Sequence, residues 1–334
     1  MEEERTPSPP PVVIFTSSSS SHSRQDHRAS SQDHWASSAP THELLEGVEL
    51  VWQIPSSPPR AILFIAHPGC GSPGDFFPPH RDCARCKGLP EHSAITQRAI
   101  GARYAVVAIK SAKDYWQTWP LEASQDAFNV ERILDSWKNR HGMANLPLVA
   151  LGCASGGSFV SALALRIEFA ALVIMISHGV TRAFQRATNR YPPTLFVHMP
   201  KDSLTAAKIE REIRALQSKG IPTEEIACLD FPVTSEIFRS LLSSHGASKL
   251  FAALVIHGVI NGEGFVTSAM QTSEIRELLQ RADIFGEADE DEREMVVESV
   301  NCLIRVAEAR HAVTARKCSE IFDWLEQYII RRHL

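Results

Sequence analysis

Residues 147–160 read PLVALGCASGGSFV: an apolar strand, a turn of small residues holding one serine, and the beginning of a helix. With Cys153 and Gly157 on either side of Ser155, the spacing is small-x-Ser-x-small, the layout of a nucleophile elbow. Such a turn is tight, and a bulky side chain in it would strike the neighbouring strands. The layout predicts a Ser155 hydroxyl at the end of the strand, facing the first turn of the helix. Free N–H groups and the helix dipole there favour a developing negative charge. A serine that only N-caps a helix would use the same residue type, so the strand and helix around it carry the reading.

A second pattern is Cys83-x-x-Cys86, the only CxxC in the chain. His80 and His92 lie near enough to make zinc conceivable, but there is no second CxxC to complete a set. A redox pair would stand at the start of a helix in a different sheet context. A surface-loop detail or occasional disulfide is the expectation, and no metal or other cofactor is assigned.

These residues need a scaffold. ELLEGVELVWQI reads as a strand or hairpin and AILFIAHPG as a buried strand running into a Gly-, Pro- and Cys-rich loop. A short helix and a strand follow in AITQRAIGARYAVVAIKSA. Leu121–Asn139 is expected to be helical, with Ala127, Val130, Leu134 and Trp137 on one face. After PLVALG and its helix come the strands AALVIMIS and TLFVHM. A helix from Leu204 to Ser218 is expected to bury Leu204, Ile209, Ile213 and Leu216 and to stop at Gly220. EIACLDF is a further strand. This alternation predicts an α/β fold with a mostly parallel sheet wound on both faces, and function at the carboxyl ends of the strands. After Phe231 the rhythm breaks, and residues 233–310 read as a helical lid or cap insertion ahead of the final helix SEIFDWLEQYII. The acidic run GEADEDERE within it is expected to be a solvated helix start.

Composition narrows the function class. The chain has 334 residues, a net charge of −5, 44% hydrophobic and 22% charged residues, which are values of a globular protein. The acidic balance argues against nucleic-acid binding, and no apolar run reaches the length of a membrane span. Residues 1–41 are expected to form a disordered tail, because eleven serines in the first 40 positions leave little to build a core. The start MEEE is unlike a secretory signal, and the C-terminal RHL is only a loose match to a peroxisomal address. Seven cysteines show no disulfide framework, so reduced thiols are expected. The cytoplasm is the expected location, with the plastid as the alternative.

The segments HPGCGSPGDFF at 67–77, CARCKGLPEH at 83–92, LPLVALGCASGGSFVSALA at 146–164 and YPPTLFVHMPKD at 191–202 resemble the α/β-hydrolase superfamily. More narrowly, they look like a plant group of functionally undescribed α/β-hydrolase-like proteins. The resemblance covers about residues 48–330 and implies a domain over 42–334.

It also implies a catalytic set in the chain order nucleophile, acid, histidine. Ser155 takes the first place. Asp202, in the loop after TLFVHM, takes the second, although it could equally cap the helix that follows. His311, just before the terminal helix, takes the third; the alternative is a place on the outer face of a long lid helix. His178 is the runner-up, His245 and His257 follow, and His198 reads as a core residue. The oxyanion hole is expected from the N–H of Gly156 and that of Gly69 or Cys70, since Pro68 has none to give. Trp116 and Trp119 would line the pocket or pack in the core. The implied function is a serine hydrolase of a small ester, thioester or amide. The alternative is a ligand receptor or interaction protein built on the same fold. Either takes a small-molecule ligand, with no nucleic acid.

Overall fold

A computed structural model describes residues 39–330 other than 269. The expected tail, apart from its last three residues, and the C-terminal tripeptide lie outside the described residues. Eight strands form one sheet: β1 (Thr41–Leu45), β2 (Val48–Gln53), β3 (Ala61–Ala66), β4 (Tyr104–Ile109), β5 (Leu148–Cys153), β6 (Ala171–Met175), β7 (Thr194–His198) and β8 (Thr223–Ala227). Their order is β1-β2-β4-β3-β5-β6-β7-β8. β1 and β2 form an antiparallel pair, β2 joins β4 antiparallel, and every remaining pairing is parallel.

The reason for a two-faced sheet is visible in its central strands. Every residue of β3, β4 and β5 is buried, as expected for parallel strands covered on both sides. Side chains alternate between two cores: Ile62, Phe64 and Ala66 join one, while Ala61, Leu63 and Ile65 join the other. The first core is closed by α2 (Gln125–Arg140), α3 (Ser155–Leu163), α4 (Thr181–Arg186) and α5 (Ser203–Gln217). The second is closed by α1 (Pro90–Gly101) and α9 (Cys318–Ile330). Fully burying each large apolar side chain contributes about 1.5–3 kcal/mol, so the two clusters fix which helix lies on which face. With the strand–turn–helix after β5, this is the α/β-hydrolase fold.

Between β8 and α9 stand α6 (Ser244–Ile256), α7 (Thr272–Arg281) and α8 (Glu290–Glu308), which share a core of their own around Phe238, Leu250, Leu279 and Val300. The acidic run does start a helix: Asp289 caps α8, accepting from Glu292 N at 2.9 Å, and Glu292 returns the bond in a capping box.

Two local expectations need correction. Leu204 is 78% exposed, because it lies in the first turn of α5, on the side away from the sheet that Ile209 and Leu216 face. β8 starts and stops earlier than EIACLDF and is an edge strand with exposed residues, which blurs its hydrophobic signal. No helix among the described residues is long and apolar enough to cross a membrane.

Candidate active site

The elbow forms, with a different residue at its tip. β5 ends at Cys153, α3 begins at Ser155, and the residue between them, Ala154, has φ 49° and ψ −112°. That backbone is strained for a residue with a Cβ. The close packing marks the same frame. A Cβ on Gly152 would lie 2.3 Å from the Gly156 carbonyl oxygen, and one on Gly156 would lie 2.1 Å from the Ala66 carbonyl oxygen. The small-x-tip-x-small frame is therefore Gly152-Cys153-Ala154-Ser155-Gly156, and the strained tip carries a methyl group. Ser155, expected at the tip, occupies the first helical position. Its Oγ is buried and has no hydrogen-bond partner, so no bond joins it to His311. The glycine pair four residues apart was the signal that could have set this frame from the sequence.

Asp202 and His311 are brought together. His311 Nδ1 and Asp202 Oδ2 are 2.8 Å apart, although the two residues are 109 positions apart in sequence. Asp202 is also the N-cap of α5, accepting from Thr205 N at 3.2 Å through its other oxygen, so the two roles weighed for it coexist. Burial pushes its carboxyl up, but the hydrogen bonds from Thr205 and His311 outweigh that and hold it below the ordinary range. His311 does not sit on a helix. α8 ends in a left-handed residue, Ala309 (φ 53°), which turns the chain into the loop that carries the imidazole. Glu91 pins the far side of that loop, accepting from Thr314 Oγ1 at 3.0 Å and Ala315 N at 2.7 Å.

The loop after β3 supplies the wall opposite α3. His67 is buried with both nitrogens engaged: Nδ1 bonds the Pro68 carbonyl at 2.7 Å, and Nε2 accepts from Ser111 N at 3.1 Å. Burial lowers its pKa to about 4, so it is a neutral structural post. Cys70, weighed as an oxyanion donor, spends its N–H on the Asp114 carbonyl at 2.6 Å, which corrects that assignment and leaves Gly69 from this loop. Tyr115 lies against Gly69, and its bond with Cys70 pushes the phenol above its usual range. In α3, the first-turn N–H groups of Ser155 and Gly156 have no intrahelical acceptor, and with Ala154 at the tip the donor directly after it is Ser155.

The two tryptophans do not line the site. Trp116 is buried, stacks on Phe159 with centroids 4.4 Å apart and donates to the His67 carbonyl at 2.8 Å, so it supports the loop from beneath. Trp119 is half-buried under the Arg186 guanidinium, 4.6 Å from its ring centroid. An aromatic next to a site loop reads the same in sequence whether it faces the cavity or the core. His178 is half-buried with its Nδ1 enclosed and unpartnered, His245 and His257 are exposed, and His198 is buried and bonded to Glu225 at 3.1 Å.

Cys83 and Cys86 form a disulfide, the second of the two forms expected for this pair; their burial corrects the surface-loop reading, and the bond corrects the expectation of reduced thiols here. Joined in this way they offer no thiolates to a metal, and His92 packs its ring on Phe76 instead, 4.7 Å between centroids.

A cavity of about 700 Å³ connects these parts, lined by Gly69, Ala154, Ser155 and His311 together with residues of α8, Asn301 and Arg305 among them. It lies at the carboxyl ends of the strands, where this class of sheet places its ligands.

No protein-family model and no curated protein sequence matches the chain. Among solved structures it is similar to an esterase of Pyrococcus furiosus, with 9% identity and a TM-score of 0.43 over 66% of this chain and 95% of that one. It is also similar to TT1662 from Thermus thermophilus, with 16% identity and a TM-score of 0.41 over 58% and 90% of the two chains. A third likeness is Est1E from Butyrivibrio proteoclasticus with ferulic acid bound, at 13% identity and a TM-score of 0.41 over 57% and 89%. At such values the fold rests on the strand order and the elbow in this chain's own structure.

Proposed function

We propose that this protein binds a small carbonyl-bearing molecule in the cavity at Ala154 and forms no acyl-enzyme at the elbow tip. The observation that supports this is the methyl side chain at the strained position from which a nucleophile would attack. The rest of the site suits a carbonyl ligand. The N–H groups of Ser155 and Gly156, with that of Gly69 opposite, would receive its oxygen. Asp202 would keep the proton on His311 Nδ1, leaving Nε2 to accept a hydrogen bond from the ligand or a water held against it.

A second reading has its own support. Ser155 is among the residues of the same cavity and its enclosed Oγ is unpartnered, so a hydroxyl is present one residue beyond the tip. In that reading Ser155 attacks a small ester, thioester or amide, His311 takes the proton, and water later releases the acyl group. A fluorophosphonate probe separates the two. The binding reading expects no labelling of the wild type and labelling of Ala154→Ser that disappears when His311→Ala is added. Labelling of the wild type that is lost in Ser155→Ala would overturn it in favour of the hydrolase.

A further inference from the structure

We propose that Arg305 forms a carboxylate subsite next to His311, so that the ligand is a carbonyl compound that also carries a carboxylate. The inference rests on the cavity at Ala154 being a carbonyl site. Arg305 is exposed and lines that cavity. It also lines a second cavity of about 310 Å³, which shares Thr272, Asn301, Arg305 and His311 with the first. The two spaces therefore adjoin at this arginine.

The helices after β8 hold this wall in place. Asn301 precedes Arg305 by four residues on α8 and lies on the same face of the helix. Its Nδ2 donates to Thr272 Oγ1 at 3.2 Å, which joins α8 to the first residue of α7. Arg305 stands in the last turn of α8, and its Nη2 donates to the His311 carbonyl at 3.2 Å. The guanidinium is thus tied to the loop whose imidazole is bonded to Asp202.

The other charges around these cavities are already matched. Lys87 pairs with Glu298 at 3.3 Å, Glu294 with Arg276, and Arg310 with Glu308 at 3.0 Å. Asp75 has no ion partner, but one of its oxygens accepts from Ser72 N at 2.7 Å, and burial pushes its carboxyl up, towards the neutral form. Among the described residues, Arg305 is left as the cation of these walls that meets no carboxylate. Its place at the helix end and its bond to the His311 carbonyl use a positive charge and one N–H, which a lysine could also supply. What a guanidinium adds is a planar fork of donors that matches a carboxylate. A dianion such as a phosphate ester fits less well, because Glu294 and Glu298 line the same cavity.

The test compares levulinate with methyl isoamyl ketone by ligand-observed NMR on the full chain. These ketones share length and shape and differ in a carboxylate against an isopropyl group. Neither can be hydrolysed, so the comparison holds whether or not the elbow is reactive. Levulinate is expected to bind about tenfold tighter, the gain typical of hydrogen bonds between charged groups. In Arg305→Gln the ratio is expected to fall towards one. Equal binding of the two by the wild type, or a preference that survives in Arg305→Gln, would overturn the subsite and leave the carbonyl site standing. Binding of neither ketone would overturn both. If the variant does not fold, phenylglyoxal labelling of the wild type decides. Saturating levulinate is expected to slow labelling of Arg305 severalfold and to leave exposed Arg190, ahead of β7, unchanged. Undiminished labelling of Arg305 would overturn the subsite.

Discussion

His311 Nδ1 meets Asp202 Oδ2 at 2.8 Å, while Ala154, the elbow-tip residue that lines the same cavity as His311, has no group to which an imidazole could pass or from which it could take a proton. The fold thus holds a bonded imidazole–carboxylate pair and an elbow tip that carries only a methyl group. Several consequences of this geometry can be measured.

Ala154→Gly is expected to stabilise the protein, against the usual sign for glycine. A Cβ at φ 49° and ψ −112° costs on the order of 1–3 kcal/mol, whereas glycine adds about 0.4–1 kcal/mol of unfolded-chain entropy. Chemical denaturation should show a gain of about 1 kcal/mol, and a loss of stability would mean the tip is not strained.

Gly156→Ala and Gly101→Ala should separate sharply. A Cβ at 156 would sit 2.1 Å from the Ala66 carbonyl oxygen, a backbone atom that cannot step aside, and the variant is expected to lose about 3 kcal/mol or more. A Cβ at 101 meets nothing within 4 Å, at the last position of α1. That variant should be neutral or gain a few tenths of a kcal/mol, roughly the difference in helix propensity. Similar midpoints for the two would contradict the packing described for the elbow.

Glu91→Gln is expected to loosen the loop that carries His311 without touching the imidazole. The carboxylate accepts from both Thr314 Oγ1 and Ala315 N, and weakening such charge-assisted bonds costs about 1–2 kcal/mol. Amide hydrogen exchange at Ala315 should accelerate on the order of tenfold, with exchange in β3 and β5 unchanged.

Acid should destabilise the fold before the carboxylates titrate. Burial lowers the His67 pKa from the ordinary 6.5 to about 4 in the folded chain. Between those values the unfolded chain binds more protons, so stability is full above 6.5 and declines as pH falls towards about 4. His92, lowered to about 3, acts in the same direction. Asp202, held below its ordinary range, adds a further loss only at lower pH, as the folded carboxyl is protonated. Urea unfolding between about pH 7 and pH 4.5 should show a decline on the order of 1–3 kcal/mol per buried histidine. Stability that is flat across that window would mean that these rings are protonated, or solvated, in the fold.

The architecture was legible in the order of residues because its signals are local. Continuous apolar runs such as AILFIA and YAVVAI require cover on both faces, and amphipathic helices such as Gln125–Arg140 provide it, with Ala127, Val130, Leu134 and Trp137 on the buried side. Residue types and spacing were also enough to place chemistry at the turn after β5.

Which groups meet at that turn depends on contacts between distant segments. GCASGG reads as an elbow in two frames; the Gly152–Gly156 spacing favours the one with Ala154 at the tip, and the contact of Gly156 with the end of β3 shows why that frame is taken. Periodicity cannot report which carbonyl receives the Cys70 N–H, or whether Trp116 turns towards the cavity or stacks on Phe159. The bond between Asp202 and His311 depends on chain segments far apart in sequence being packed at one edge of the sheet. Hydrogen bonding and desolvation act over a few ångströms, so these are properties of the folded arrangement and not of any stretch of sequence.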